Sequence, residues 1–243
     1  MKLIVLAAGY ATRLYPLTLD RPKPLLEVAG RPLLDRLLER VLAIGGIDET
    51  IVATNAKFAA AFTAWAQGRP AVSVVNDGTK SEDDRLGAIG DIGFVIEQRK
   101  LEDDLVVVAG DNLFDSDISD FGRCARERRT PLLAVHDVGD LAQMSKYNQV
   151  QTDGDGRITF FEEKPQHAET TLAGIALYYY PRETVPLIRA YLADGNNPDQ
   201  PGRLVEWLYP RVPVHTWQVP GSWYDIGSRE SLAEADELFA GDS

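Results

Sequence analysis

Two basic residues, Arg13 and Lys23, bracket the part of this sequence best suited to chemistry. A short apolar run from Leu3 to Leu6 breaks into Ala7-Ala8-Gly9-Tyr10-Ala11-Thr12-Arg13, and Pro22-Lys23-Pro24 follows shortly after. Small residues directly after a strand let backbone N–H groups approach an anion, while a guanidinium and an ammonium can reach that same anion. The arrangement suits a nucleoside triphosphate. Lys164, in Phe161-Glu162-Glu163-Lys164-Pro165, is a third candidate cation. The plainer reading makes Gly9 and Arg13 a strand-to-loop turn with a solvated arginine, and Lys164 an exposed residue at a strand end.

These residues need a scaffold, and the first half of the chain supplies a regular one. Leu3 to Ala7 reads as a buried strand. Leu33, Leu34, Leu37, Leu38, Val41 and Leu42 recur at helical spacing opposite Asp35, Arg36, Glu39 and Arg40. A strand around Thr50 to Ala53, a helix over Phe58 to Trp65, a strand over Ala71 to Val75, a helix from Leu86 to Gln98 and a strand over Leu105 to Ala109 follow. Strands alternating with helices predict an α/β fold, a doubly wound and mostly parallel sheet. Asp111 then stands at a strand's carboxyl end, where ligands gather in such sheets. Asn76 to Arg85, polar and aperiodic, reads as an exposed loop that could act as a lid. In the second half, Pro131 to His136, Asn148 to Thr152, Ile158 to Glu163 and Leu172 to Tyr180 read as added antiparallel strands, with Gly154-Asp155-Gly156 as a hairpin turn. Helices over Val185 to Leu192 and Arg229 to Phe239 complete the pattern, and Gly195 to Gly202 reads as a loop.

A chain of 243 residues with 44% hydrophobic content can bury a large core, and a single domain is expected over 1–243. Its parts would be a nucleotide-binding half (1–115), a half binding the second substrate (116–228) and a terminal helix (229–243). The net charge of −12, from 37 acidic against 25 basic residues, repels nucleic acid and anionic membranes, so neither is an expected partner. One cysteine, Cys124, rules out an internal disulfide and fits a reducing compartment, with the cytoplasm as the default. No apolar stretch approaches the ~20 residues that span a bilayer. Three histidines, His136, His167 and His215, lack metal-ligand spacing. A homo-oligomer stays open.

The segment LAAGYATRLYPLTLDRPKPLLEVAGRPLLD resembles the signature of sugar-1-phosphate nucleotidyltransferases, of the glucose-1-phosphate thymidylyl- and uridylyltransferase kind. The resemblance implies a Rossmann-like fold. It places Leu6, Ala7, Ala8, Gly9, Ala11 and Thr12 around the nucleotide and makes Arg13 and Lys23 the catalytic cations. Ala11 stands where that family has glycine. Asp111, in VVVAGDN, and Asp225, in GSWYDIGS, match the family's Mg²⁺-binding aspartates. Glu163 and Lys164 match a Glu-Lys-Pro element, the glutamate on the sugar and the lysine on its phosphate. Gly174 matches a glycine beside the sugar, and Asn148 replaces a glycine there. Gly87 matches the glycine against the base, and Asn76 can replace a base-reading glutamine or serve as a turn residue. The implied reaction joins a nucleoside triphosphate, UTP or dTTP by analogy, to a sugar 1-phosphate. Its rivals are cytidylyl transfer to phosphocholine or another non-sugar phosphate, with Trp223, Tyr224 and Tyr147 as an aromatic cage, and a silent nucleotide-binding regulator.

Overall fold

Along the chain run β1 (Lys2–Leu6), the short pair β2 (Glu27–Val28) and β3 (Arg31–Pro32), α1 (Leu33–Leu42), β4 (Glu49–Thr54), α2 (Ala59–Ala66) and β5 (Val72–Asn76). Then come α3 (Ala88–Arg99), β6 (Leu105–Ala109), β7 (Asn112–Phe114), α4 (Ser119–Arg128), β8 (Leu132–Asp137), β9 (Asn148–Thr152) and β10 (Ile158–Glu163). The rest is β11 (Leu172–Tyr180), α5 (Val185–Ala193), α6 (Gly202–Leu208), β12 (His215–Gln218), β13 (Trp223–Asp225) and α7 (Arg229–Leu238). This computed structural model describes residues 1–241, so the end of the expected terminal helix segment, 242–243, lies outside the described residues.

Seven strands form one sheet in the order β12-β8-β11-β6-β1-β4-β5. Among the described residues β11 alone runs antiparallel to its neighbours in it; β4, β5, β6 and β12 pair in parallel. The sheet is thus mostly parallel and doubly wound, as the alternation of elements predicts. Its strands β8, β11 and β12 come from the second half of the chain, so one sheet joins both halves.

Alternation along the central strands sets the layers. Leu3, Val5, Val106 and Val108 face the side packed by Leu34, Leu37 and Val41 of α1 and Phe121 of α4. Ile4, Leu105 and Val107 face the other side, against Ile89, Ile92 and Ile96 of α3 and Ile188 of α5. Strands covered on both faces are apolar throughout, which is why β1 and β6 read as continuous runs. Burying each such side chain stabilises the fold by roughly 1.5–3 kcal/mol.

Two helices escape the sequence pattern. α4 buries only Phe121, Gly122 and Ala125 among ten mostly polar residues, so it carries no clear apolar period. α6 has seven residues and begins at Gly202, the last residue of the segment expected as loop. Of the strands expected as antiparallel additions, β9 and β10 pair antiparallel with each other, β11 is antiparallel to both its neighbours, and β8 is antiparallel to β11 but parallel to β12; the β7–β13 ladder is one the sequence does not predict. β9 and β10 pair through a turn in which Gly156 has φ 77°, and β7 pairs with β13.

The chain leaves β1 for β4 and β5 on one side, then returns to β6 on the other. That reversal opens a crevice beyond the carboxyl ends of β1 and β6, the usual ligand site of open α/β sheets.

Candidate active site

The loop leaving β1 is fixed by backbone pairing rather than by side chains of its own. Ala7 N–H donates to Ala53 at 2.9 Å, and Nδ2 of the buried Asn55 donates to the Ala8 carbonyl at 2.8 Å. Gly110, leaving β6, donates to the Leu6 carbonyl at 2.9 Å. The two loops that the sequence marks as chemical therefore start from one point.

Ala11 sits in the left-handed region, φ 49° and ψ 45°, just before a single 3-10 turn over Thr12–Leu14. Its carbonyl accepts from Thr18 Oγ1 at 2.8 Å. An alanine is strained by about 1 kcal/mol there, where glycine is not. Ala11→Gly should stabilise the fold by roughly 0.5–1 kcal/mol, the gain reduced by glycine's extra freedom when unfolded. A thermal melt would show a rise of about 1–4 °C; a fall would mean that the strain lies elsewhere.

Asp111 and Asp225, far apart in sequence, meet through the β7–β13 ladder. Asp225 pairs with Asn112 in register, and the Ile226 N–H donates to the Asp111 carbonyl at 3.1 Å. Lys23 Nζ donates to Asp111 Oδ2 at 2.6 Å. Asp225 opens to the cavity but is otherwise ringed by protein, and this burial, with repulsion from Asp111, pushes its carboxyl up to about 6. Lys23 and Arg13 pull it back down. Arg13 is exposed and has no carboxylate within ion-pair distance among the described residues.

These groups border one cavity of about 410 Å³. Of the residues singled out from sequence, Leu6, Ala8, Gly9, Ala11, Thr12, Arg13, Lys23, Gly87, Asp111 and Asp225 line it. Ala7 is buried just behind it. Asn76 is exposed outside the lining, and its Oδ1 accepts from Gly78 N–H at 2.9 Å, the geometry of a turn residue.

The remaining four lie outside this cavity. Asn148 is buried, and its amide satisfies both backbone groups of Gly174: Nδ2 donates to the carbonyl at 2.9 Å, and Oδ1 accepts from N–H at 2.6 Å. A Cβ on Gly174 would lie 2.7 Å from Leu133, so the close approach at this glycine is to the core. Glu163 packs its Oε2 against Gly202 at the start of α6, where burial pushes its carboxyl up to about 7. Lys164 is exposed, with φ 53°.

The far end of the cavity rests on Gly87, φ 81° and ψ 163°. A Cβ there would lie 2.6 Å from the Pro198 carbonyl oxygen and 2.7 Å from Asp199 Cα. Two N–H groups of the first α3 turn, those of Ala88 and Ile89, already donate to the Asp199 and Pro198 carbonyls. Arg85 holds Asp199 with two hydrogen bonds, at 3.1 and 3.3 Å, and Asp84 accepts from the Lys80 and Ser81 backbone. The loop expected as a lid is thus tied at its end to the segment before α6. Gly87→Ala combines a forbidden backbone region with a backbone clash and should cost roughly 3–5 kcal/mol. A urea melt reads this directly, and a loss below about 1 kcal/mol would show that the junction gives way easily.

Sequence reasoning missed Asp91. It lines the cavity, is 6% exposed, and sits one turn before the buried Val95 of α3. An acidic residue at a core-facing helix position is a readable signal, since an uncompensated buried charge is costly.

A family profile described as "Nucleotidyl transferase" matches residues 2–240. A glucose-1-phosphate thymidylyltransferase of Streptomyces antibioticus is 27% identical over 97% of this chain and 65% of its own length. A mannose-1-phosphate guanylyltransferase of Mycobacterium tuberculosis is 33% identical over 76% of this chain and 50% of its own. The chain therefore spans half to two-thirds of the length of these relatives. The crystal structure of a UDP-glucose pyrophosphorylase complexed with UDP-glucose superposes with a TM-score of 0.82 at 20% identity, covering 100% of this chain and 99% of that one. With the fold shared end to end and the profile covering nearly every residue, the chain belongs to the nucleotidyl transferase family.

Proposed function

We propose that this chain transfers a nucleoside monophosphate from a nucleoside triphosphate to a sugar 1-phosphate and releases pyrophosphate. The observation that carries the reading is the convergence of Arg13, the Lys23–Asp111 pair and Asp225 on one cavity at the sheet's switch point. A phosphate oxygen of the acceptor attacks the α-phosphorus in line, the bond to the β-phosphate breaks, and pyrophosphate leaves with the electron pair. Both reactants are anions, so positioning and charge neutralisation are the main demands, and no protein nucleophile is needed.

Arg13, exposed and unpaired by any carboxylate among the described residues, is free to meet the triphosphate. Lys23 neutralises Asp111 and borders the same space, so it can pass to an entering phosphate oxygen. Two carboxylates that repel each other, one of them pushed up to about 6, make a donor set that fits a hard divalent cation such as Mg²⁺. Asp111 and Asp225 would hold it. Bound there, it would supply charge neutralisation on the phosphates.

Acceptor contacts are expected to differ from those implied by the signature, because Asn148 and Gly174 satisfy each other and Glu163 turns toward α6. Tyr147 and Trp223 meet edge-on at 5.7 Å, whereas Tyr224 packs on Phe239. Two rings form a wall rather than a cage for a quaternary ammonium, which favours a sugar over choline. The named relatives span thymidylyl and guanylyl transfer, so the choice of base rests on this chain's own residues.

Incubation with Mg²⁺, each NTP or dNTP, and a panel of sugar 1-phosphates and phosphocholine tests the reading through pyrophosphate and product mass. A nucleoside diphosphate sugar supports it. Product only with phosphocholine supports the cytidylyl rival, and nucleotide binding without any pyrophosphate supports the regulator.

A further inference from the structure

Helix α7 contributes no side chain to the cavity, yet it holds three of the segments that do. The first is β13. Gly227, next but one after Asp225, donates its N–H to the Asp225 carbonyl at 2.9 Å and to Ser231 Oγ at 3.1 Å. Ser228 and Ser231 cap each other, so the helix begins at a fixed place relative to that strand. The second is the β2–β3 hairpin just after Lys23. Val28 packs with Ala235 and Phe239, and Asp236 accepts from the Ala29 N–H at 2.7 Å.

The third is the stretch that carries Arg13. Arg229, the first residue of α7, is exposed and donates from Nη2 to the Tyr15 carbonyl. Tyr15 closes the 3-10 turn over Thr12–Leu14, its N–H donating to the Thr12 carbonyl at 3.2 Å. Among the described residues, every other hydrogen bond of residues 11–20 closes within that stretch, so the Arg229 bond alone joins it to another element. Lys57 adds a looser contact, 5.7 Å from the centre of the Tyr15 ring. Leu14 and Thr18 are buried, so packing keeps the stretch folded and leaves Arg229 to fix where its turn points.

We propose that Arg229 is a positioning residue, which sets the span between Arg13 and Asp225 by holding the Tyr15 carbonyl from the start of α7. The inference deepens the nucleotidyl-transfer reading and rests on it for a triphosphate at Arg13. Arg229 does not line the cavity, so it acts through Arg13. A cation displaced by an ångström loses much of its effect on a phosphate, whereas an exposed side chain adds little to folding.

Calorimetric titration of the full chain with tripolyphosphate and Mg²⁺ at low ionic strength reads the phosphate end without any choice of base. Arg229→Ala should weaken binding about five- to tenfold while the melting temperature stays within about 2 °C of wild type. In an Arg13→Ala background the same change should alter binding by less than about twofold, because the group being positioned is gone. Arg229→Lys, which keeps one donor for the carbonyl, should recover most of the loss. Equal losses in both backgrounds would mean that Arg229 acts on the ligand directly or through its charge, and would overturn the proposal. So would an unchanged affinity in Arg229→Ala, a loss matched by a large fall in melting temperature, or wild-type binding no tighter than that of Arg13→Ala. A loss confined to the Arg13 background, in a protein that releases no pyrophosphate with any pair of substrates, would keep this role and remove the transfer reading. Product formation with equal losses in both backgrounds would do the reverse.

Discussion

Asparagine in place of Asp225 should lower pyrophosphate release at least about 100-fold, the loss of several kcal/mol of charge stabilisation at the phosphates, while the melting temperature holds or rises. The two halves of that expectation have one cause. Although Asp225 is exposed toward the cavity, desolvation by the protein around it and the nearby Asp111 already disfavour its charge in the free protein, so removing it relieves repulsion. A side chain kept at a local cost must act on something that is absent from the free fold. Asp111→Asn should lose activity similarly but melt slightly lower, because Lys23 then loses its partner at 2.6 Å. Initial rates at saturating Mg²⁺ and scanning calorimetry on both variants check this. Full activity in Asp225→Asn would remove it from the catalytic site, and an activity loss matched by a fall in melting temperature would make its role structural.

How such a site could be read from sequence depends on the distance over which each feature is determined. The loop after β1 is local: Leu3 to Leu6 must be a buried strand, and Gly9 to Arg13 follow it at once. β6 and Asp111 are legible for the same reason, a covered strand ending in an acid. The meeting of Asp111 with Asp225 is not local, because it depends on β7 and β13, three residues each, whose pairing no periodicity announces. α4 was illegible because its ten residues bury so little, and α6 because a proline- and glycine-rich stretch hid its start. Asn148 shows a different limit. Its residue type suits ligand contact, yet its amide fits the Gly174 backbone so closely that only the β9 and β11 coordinates reveal where it points. Asp91 was legible in principle, as a charge where the helical period of Ile92, Val95 and Ile96 calls for an apolar side chain.

Raising the pH from 5 to 7 should weaken the fold, and Asp91→Asn should remove much of that dependence. An ordinary aspartate is ionised at pH 5, whereas Asp91 in the fold, raised to about 8, keeps its proton. Across that window the folded state binds more protons than the unfolded chain, so stability falls as pH rises from the unfolded value of 3.8 toward the folded value of about 8. One fully titrating carboxyl gives a slope on the order of 1 kcal/mol per pH unit, hence roughly 2–3 kcal/mol between pH 5 and 7. Glu163, raised to about 7 by burial, adds a smaller slope of the same sign between its unfolded value of 4.5 and about 7. Against a total stability of about 5–15 kcal/mol, such a change is large. Urea melts at pH 5, 6 and 7 should show wild type losing stability at each step, with Asp91→Asn gaining on it progressively toward pH 7. Parallel curves for the two proteins would mean that Asp91 ionises normally in the fold.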